Sequence, residues 1–378
     1  MSYKKIYLSS PHMGGKEKKF IDEAFKSNWI APLGKNVDEF EREVSEYIGV
    51  EGALATVSGT SAIHMALKCV GVKPGDIVFC SSLTFAASCN PIIYENAIPV
   101  FIDSDLESWN MSPIALERAF KKYIKINKIP KAVIVVDLYG ESAKYDEIRF
   151  ICNKYNVPII EDSAEALGSE YKNKKLGSFG DLSIFSFNGN KIITTSGGGM
   201  LLSNNINMIE KAKFWITQSR ENKRYYEHKE LGYNYRMSNI LAGIGRGQMR
   251  VIDTRVKQKR EIYNAYKKSF ENIPFIEMKN NMKDSKSNEW LSCALISLKS
   301  SVKPVDVIEL LDKNNIEARH IWKPMHLQPF FKKYDFISER KEGSIAEEIF
   351  LRGVCLPSDT KNTEDDMEKI IGLIKEIF

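Results

Sequence analysis

Several kinds of sequence are missing from this 378-residue chain, and each absence removes a class of function. No run approaches the roughly 18 apolar residues that a membrane-spanning helix needs. The N-terminus, MSYKKIYLSSP, lacks the apolar core of a secretory signal. The six cysteines (Cys69, Cys80, Cys89, Cys152, Cys293 and Cys355) never form CxxC, and most lie in apolar runs. They read as buried free thiols in a reducing compartment, so a cytoplasmic protein without bound metal is expected. Basic stretches such as KEKKF, KNKK and RVKQKR are scattered, and the net charge is only +5. None is interleaved with aromatics as a nucleic-acid groove would be. Neither GxGxxG nor GxxxxGK[ST] occurs, which argues against a nicotinamide oxidoreductase and a P-loop enzyme. No repeat, low-complexity segment or spare helix-turn-helix is left over for a regulator.

What is present is an ordinary globular balance, 43% hydrophobic and 27% charged. The length suggests two domains, 1–245 and 246–378. Through the first 200 or so residues, short apolar runs alternate with helical patterns. The strand candidates are ALATV (53–57), DIVFC (76–80), IPVFI (98–102), KAVIVVD (131–137), VPIIED (157–162), LSIFSF (182–187) and GMLLS (199–203). They lack strict polar alternation, as strands covered on both faces do. NVDEFEREVSEYIG places Val37, Phe40, Val44 and Tyr47 on one helix face. This alternation predicts an α/β fold, a large mostly parallel sheet flanked by helices, followed by a smaller α/β domain. SNILAGIGRGQMRVIDTRVKQKREIYNAYKKSF reads as one long helical stretch joining the two, and MKNNMKDSKSNEW as a polar surface loop.

Three short constellations carry chemistry. In TVSGTSAIHMAL a strand runs into Ser58-Gly59-Thr60-Ser61 and then a helix, whose N-terminal N–H groups favour an anion. An ordinary capped helix is the competing reading. In PIIEDSAEALGS, Glu161 and Asp162 close an apolar strand, where open α/β sheets bind ligands; a solvated strand end is equally compatible. In SIFSFNGNKIITTSGGGML, Lys191 follows an apolar strand, where desolvation makes a nucleophilic amine, although an exposed turn lysine fits too. Gly197 to Gly199 are expected to let the chain turn back into the next strand. An anion cradle, a strand-end acid and a lysine, in that order on one sheet, together suit pyridoxal phosphate. That cofactor needs a phosphate site, a partner for its ring nitrogen and an amine for its aldehyde.

The sequence resembles the fold-type I, pyridoxal-phosphate-dependent nucleotide-sugar aminotransferases of the DegT type. The likeness spans SGTSAIHMAL, SSLTFAASCNPI, VVDLYG, EDSAEALGS, GDLSIFSFNGNKIITTSGGGML, LGYNYRMSNILAGIGRGQM and IWKPMHLQPFF. SFNGNK and WKPMHLQP are most similar to the subgroup that aminates C4 of UDP-4-keto-6-deoxy-N-acetylglucosamine, on the way to bacillosamine-type sugars. The resemblance implies that Lys191 carries the cofactor and that Asp162 pairs with its ring nitrogen. Gly59, Thr60 and Ser61 match the phosphate loop, with Ser186 adding a hydroxyl. Phe85 matches the aromatic that stacks on the ring, and Asn234 the residue that reaches the phosphate from a second subunit. Trp322, His326 and Gln328 lie in the family's substrate loop. Glu165 stands where many relatives carry His or Gln beside the phenolic oxygen, and would repel it unless one acid holds a proton. Asn188-Gly189 replaces a frequent His-Pro. L-Glutamate as amino donor, a nucleotide-linked keto-sugar as acceptor and a homodimer with shared sites follow from the same likeness. C3-aminating or dTDP-sugar enzymes share the apparatus; dehydratases of the family carry histidine in place of Lys191.

Overall fold

The β-branched and aromatic runs build one eight-stranded sheet. The structure, a computed structural model, describes residues 5–378. The strand order is Gly52–Thr56, Gly199–Ser203, Leu182–Ser186, Ile159–Asp162, Ala132–Val136, Ile77–Ser81, Ile98–Ile102 and Phe336–Ile337. From Leu182–Ser186 to Phe336–Ile337 every pairing is parallel, whereas Gly199–Ser203 runs antiparallel to both its neighbours. All seven strands read from the sequence form, with ends displaced by at most two residues. Their side chains are almost wholly buried, as expected for strands covered by helices on both faces. The eighth strand is only two residues long and carries no periodicity to read. A second, four-stranded antiparallel sheet is built from Ile276–Met278, Ser292–Ile296, Gly353–Leu356 and Arg319–His320. The helix Ile252–Phe270 contributes Tyr263, Tyr266 and Phe270 to its core.

The long helical stretch is in fact two helices, Asn239–Met249 and Ile252–Phe270, broken at Arg250–Val251. The first must lie close against the N-terminal helices. A Cβ added at Gly247 would come within 2.6 Å of the Glu17 backbone. The polar stretch 278–290 also departs from expectation, because Ser287, Asn288, Glu289 and Trp290 are buried. The Asn288 amide donates to the carbonyls of Glu165 (3.0 Å) and Leu167 (2.9 Å). Its polarity satisfies buried backbone rather than meeting water.

Candidate active site

Strand alternation separates the two acids of Ile159–Asp162. Glu161 is fully buried and accepts from the Phe179 amide (2.7 Å), the Gly180 amide (2.8 Å) and the Ser183 hydroxyl (2.7 Å). Those bonds tie down a loop and leave it no free face. Asp162 points the other way, into a cavity of about 390 Å³ at the carboxyl ends of the strands. Its Oδ2 receives the Ser88 hydroxyl at 2.6 Å, and its Oδ1 the Ala164 amide at 3.2 Å. Since Ser88 spends its hydrogen on Asp162, the Thr84 hydroxyl, 2.7 Å away, donates to Ser88. Burial pushes the Asp162 carboxyl up, while the Ser88 and Ala164 bonds and the charge of Lys191 hold it down.

Across the cavity, the helix Gly59–Cys69 begins at Ser58, whose hydroxyl accepts the Ser61 amide at 3.1 Å. Gly59 and Thr60, whose amides have no carbonyl one turn back, line the cavity. Ser186 lies beside them, and a Cβ on Gly59 would stand 3.2 Å from the Ser186 Cβ. Gly197, Gly198 and Gly199 do not turn the chain through a left-handed conformation; that backbone belongs to Ser196, with φ of 72°. Glycine is required at 199 by close approach, because a Cβ there would lie 2.3 Å from the Ser58 carbonyl carbon.

Lys191 follows the turn Asn188-Gly189-Asn190 and donates its amide to the Asn188 carbonyl at 3.0 Å. Its Nζ lies 3.5 Å from Glu165 Oε1 and 4.1 Å from the centre of the Trp290 ring. Glu165 Oε2 accepts the Tyr139 amide at 2.7 Å. Burial pushes the Glu165 carboxyl up, against the pull of Lys191 and of that amide. Tyr139 lies roughly parallel to Trp290 and Trp322 at 6.2 and 6.3 Å, and Trp322 meets Phe85 at 5.3 Å. One wall of the cavity is therefore aromatic, and the opposite wall is a helix N-terminus with hydroxyls.

The sequence model of the DegT/DnrJ/EryC1/StrS aminotransferase family matches residues 11–375. The chain belongs to this family. EpsN of Bacillus subtilis (strain 168) is 51% identical over 376 residues, covering 100% of this chain and 96% of that protein. GDP-perosamine synthase of Escherichia coli O157:H7 is 35% identical over 379 residues, covering 100% and 99%. The structure of Helicobacter pylori PseC, an aminotransferase involved in pseudoaminic acid biosynthesis, superposes with a TM-score of 0.90 over 99% of both chains at 26% identity. The protein is thus a sugar aminotransferase with pyridoxal phosphate as its cofactor.

The donor set in the cavity suits that cofactor. Two helix-terminal amides and the Ser186 hydroxyl match a phosphate, the buried Asp162 carboxylate matches a protonated ring nitrogen, and Lys191 Nζ opens onto the same space. Nine of the residues expected from sequence line this cavity: Gly59, Thr60, Phe85, Asp162, Glu165, Ser186, Asn188, Lys191 and Trp322. Four do not. The Ser61 hydroxyl is turned back onto the Ser58 carbonyl at 2.7 Å, where it closes the helix cap. Asn234 is exposed outside the cavity and accepts the Gln218 amide at 3.1 Å; its expected reach is toward a second subunit. His326 has both ring nitrogens engaged, by Ser82 Oγ at 2.7 Å and Glu347 Oε1 at 3.0 Å, and its ring is stacked on Phe336. In this geometry neither ring nitrogen is free. Gln328 borders a neighbouring recess that shares Phe85 and Trp322. Sequence reasoning passed over Ser88, Thr84 and Trp290. A lone tryptophan in a polar stretch was the signal available for the last.

Proposed function

We propose that this protein transfers the amino group of L-glutamate to C4 of a UDP-linked 4-keto-6-deoxy-N-acetylhexosamine, working as a homodimer with shared sites. The observation that carries the reading is the convergence of Lys191, Asp162 and the Gly59–Thr60 helix terminus on one cavity. Bound pyridoxal phosphate supplies an aldehyde for an amine and a ring that takes up an electron pair. Lys191 would hold it covalently through Nζ. Once released, the same Nζ removes the donor's Cα proton and, in the second half of the cycle, delivers a proton to the carbon that receives the amine. Asp162, held by Ser88, would keep a cation at the ring nitrogen. The Gly59 and Thr60 amides and the Ser186 hydroxyl would hold the phosphate, and Phe85, Asn188 and Glu165 line the space left for the ring. Asn234 would reach the phosphate of the partner site, and Trp322 would contact the sugar.

The UDP and C4 assignments rest on the SFNGNK and WKPMHLQP motifs. The 35% identity to GDP-perosamine synthase favours a second reading, a GDP-linked acceptor. Assaying UDP-, GDP- and dTDP-linked keto-sugars with glutamate separates them. Turnover confined to a GDP or dTDP sugar rejects the first reading. Borohydride treatment of the holoenzyme should fix the cofactor on Lys191, and a Lys191→Ala protein should not turn over; retained turnover would reject the role of that lysine.

A further inference from the structure

Lys259 lies in the helix Ile252–Phe270, is 3% exposed and lines no part of the cavity described above. Its Nζ donates to three oxygens: Ser9 Oγ at 3.1 Å, the Trp290 carbonyl at 2.9 Å and the Ser358 carbonyl at 2.6 Å. Three acceptors match the three N–H bonds of an ammonium, each from a different part of the chain, while burial lowers the pKa of the amine to about 7. Two of those acceptors belong to residues that converge on a single atom. Ser9 Oγ passes its own hydrogen to the Asn190 carbonyl at 3.0 Å, and Trp290 Nε1 donates to the same oxygen at 2.7 Å. That carbonyl belongs to the peptide bond joining Asn190 to Lys191. The turn itself needs an anchor, because Asn188 and Asn190 are exposed. The Trp290 ring also stands 4.1 Å from Lys191 Nζ. A buried lysine costs desolvation that an apolar side chain would avoid, which favours a positioning role over a stabilising one.

We propose that Lys259 is a positioning residue for Lys191, fixing its backbone through Ser9 and Trp290 at the Asn190 carbonyl and holding the indole under its amine. The inference rests on the reading of Lys191 as the residue that carries the cofactor. It is tested on cofactor-free protein with the variants Lys259→Met and Ser9→Ala. Two quantities are measured: amide hydrogen exchange of the peptide spanning residues 188–192, and the rate at which added pyridoxal phosphate is captured at Lys191, followed by absorbance and confirmed by borohydride and peptide mass spectrometry. Exchange in that peptide should quicken and capture should slow by about tenfold in Lys259→Met, with a smaller change of the same kind in Ser9→Ala. The double variant should be no worse than Lys259→Met alone, since both act on one carbonyl. A lower melting temperature with unchanged capture in both variants overturns the proposal and leaves Lys259 a structural lysine. If Lys259→Met fails to fold, Ser9→Ala decides, because it removes one donor and leaves the buried ammonium in place. Wild-type protein that forms no adduct at Lys191 sinks the underlying reading and this inference together; an adduct in wild type with unchanged variants sinks this inference alone.

Discussion

Replacing Ser88 by alanine probes Asp162 through its support. The Ser88 hydroxyl donates to Asp162 at 2.6 Å and receives the Thr84 hydroxyl at 2.7 Å, and all three residues are buried. Losing a hydrogen bond to a charged group costs about 1.5–3 kcal/mol, and stranding the Thr84 hydroxyl adds about 1 kcal/mol. The pH dependence has a definite sign. Burial raises the Asp162 carboxyl above its ordinary value, and the Ser88 bond is the strongest influence holding it down. Without Ser88 the folded protein binds that proton at higher pH, while the unfolded chain is unchanged. The variant therefore loses most relative to wild type at the alkaline end, where Asp162 is ionised in wild type. The gap narrows as pH falls through the folded-state titration, because both proteins then hold the proton. Chemical denaturation of the two cofactor-free proteins across a pH series measures this directly. A loss of about 2–4 kcal/mol is expected at high pH, shrinking to about 1 kcal/mol at low pH. In the holoenzyme the acid limb of kcat/KM should move to higher pH. A stability gap that does not change with pH refutes the argument, since it would mean that Ser88 holds no ionised carboxylate.

Two further outcomes follow from the geometry. Asp162→Asn keeps the shape of the site and removes the charge that would face the ring nitrogen, so kcat should fall by about a hundredfold or more while cofactor absorbance is partly retained. Unchanged kcat in steady-state assays would reject that electrostatic role. Gly199→Ala puts a methyl 2.3 Å from the Ser58 carbonyl carbon. It should cost about 1–3 kcal/mol and, by shifting the cap of the Gly59–Cys69 helix, weaken pyridoxal phosphate binding in a fluorescence titration. Wild-type affinity would show that the strand relaxes without moving the cap.

The parts of this molecule legible in its sequence are those set by local pattern. Runs such as AVIVV and LSIF have no polar alternation and become the strands Ala132–Val136 and Leu182–Ser186. The Ser58 cap and the order of cradle, acid and lysine are likewise local, and these bring Gly59, Asp162 and Lys191 to one edge of the sheet. What could not be read depends on distant partners. Trp290 belongs to the site because its indole meets the Asn190 carbonyl, 100 residues away in the chain. Gly199 is glycine because Ser58 approaches it, a contact between chain segments that no turn rule expresses. His326 sits in a recognisable motif, yet Ser82 and Glu347 occupy both of its nitrogens. The break at Arg250–Val251 has neither a proline nor a side-chain cap in its own sequence to announce it.

The two acids of the cavity divide their work by what holds their charge. Asp162 has a hydroxyl and an amide donating to it, in addition to the field of Lys191. Glu165 has the Tyr139 amide and otherwise leans on Lys191 itself, 3.5 Å away. Burial raises both carboxyls. When the Lys191 amine is engaged with the cofactor and no longer a free ammonium, Glu165 loses more of its support than Asp162 does. Glu165 would then be the group to take up a proton, and a protonated carboxyl donates a hydrogen bond where a carboxylate would repel an anionic oxygen. A neutral amide of the same length can do the same. Glu165→Gln should therefore keep kcat within about tenfold of wild type, the range of one neutral hydrogen bond, while Asp162→Asn does not. Equal losses in the two variants, measured side by side with the same keto-sugar and glutamate, would show that Glu165 works as an anion and that the division of charge argued here is wrong.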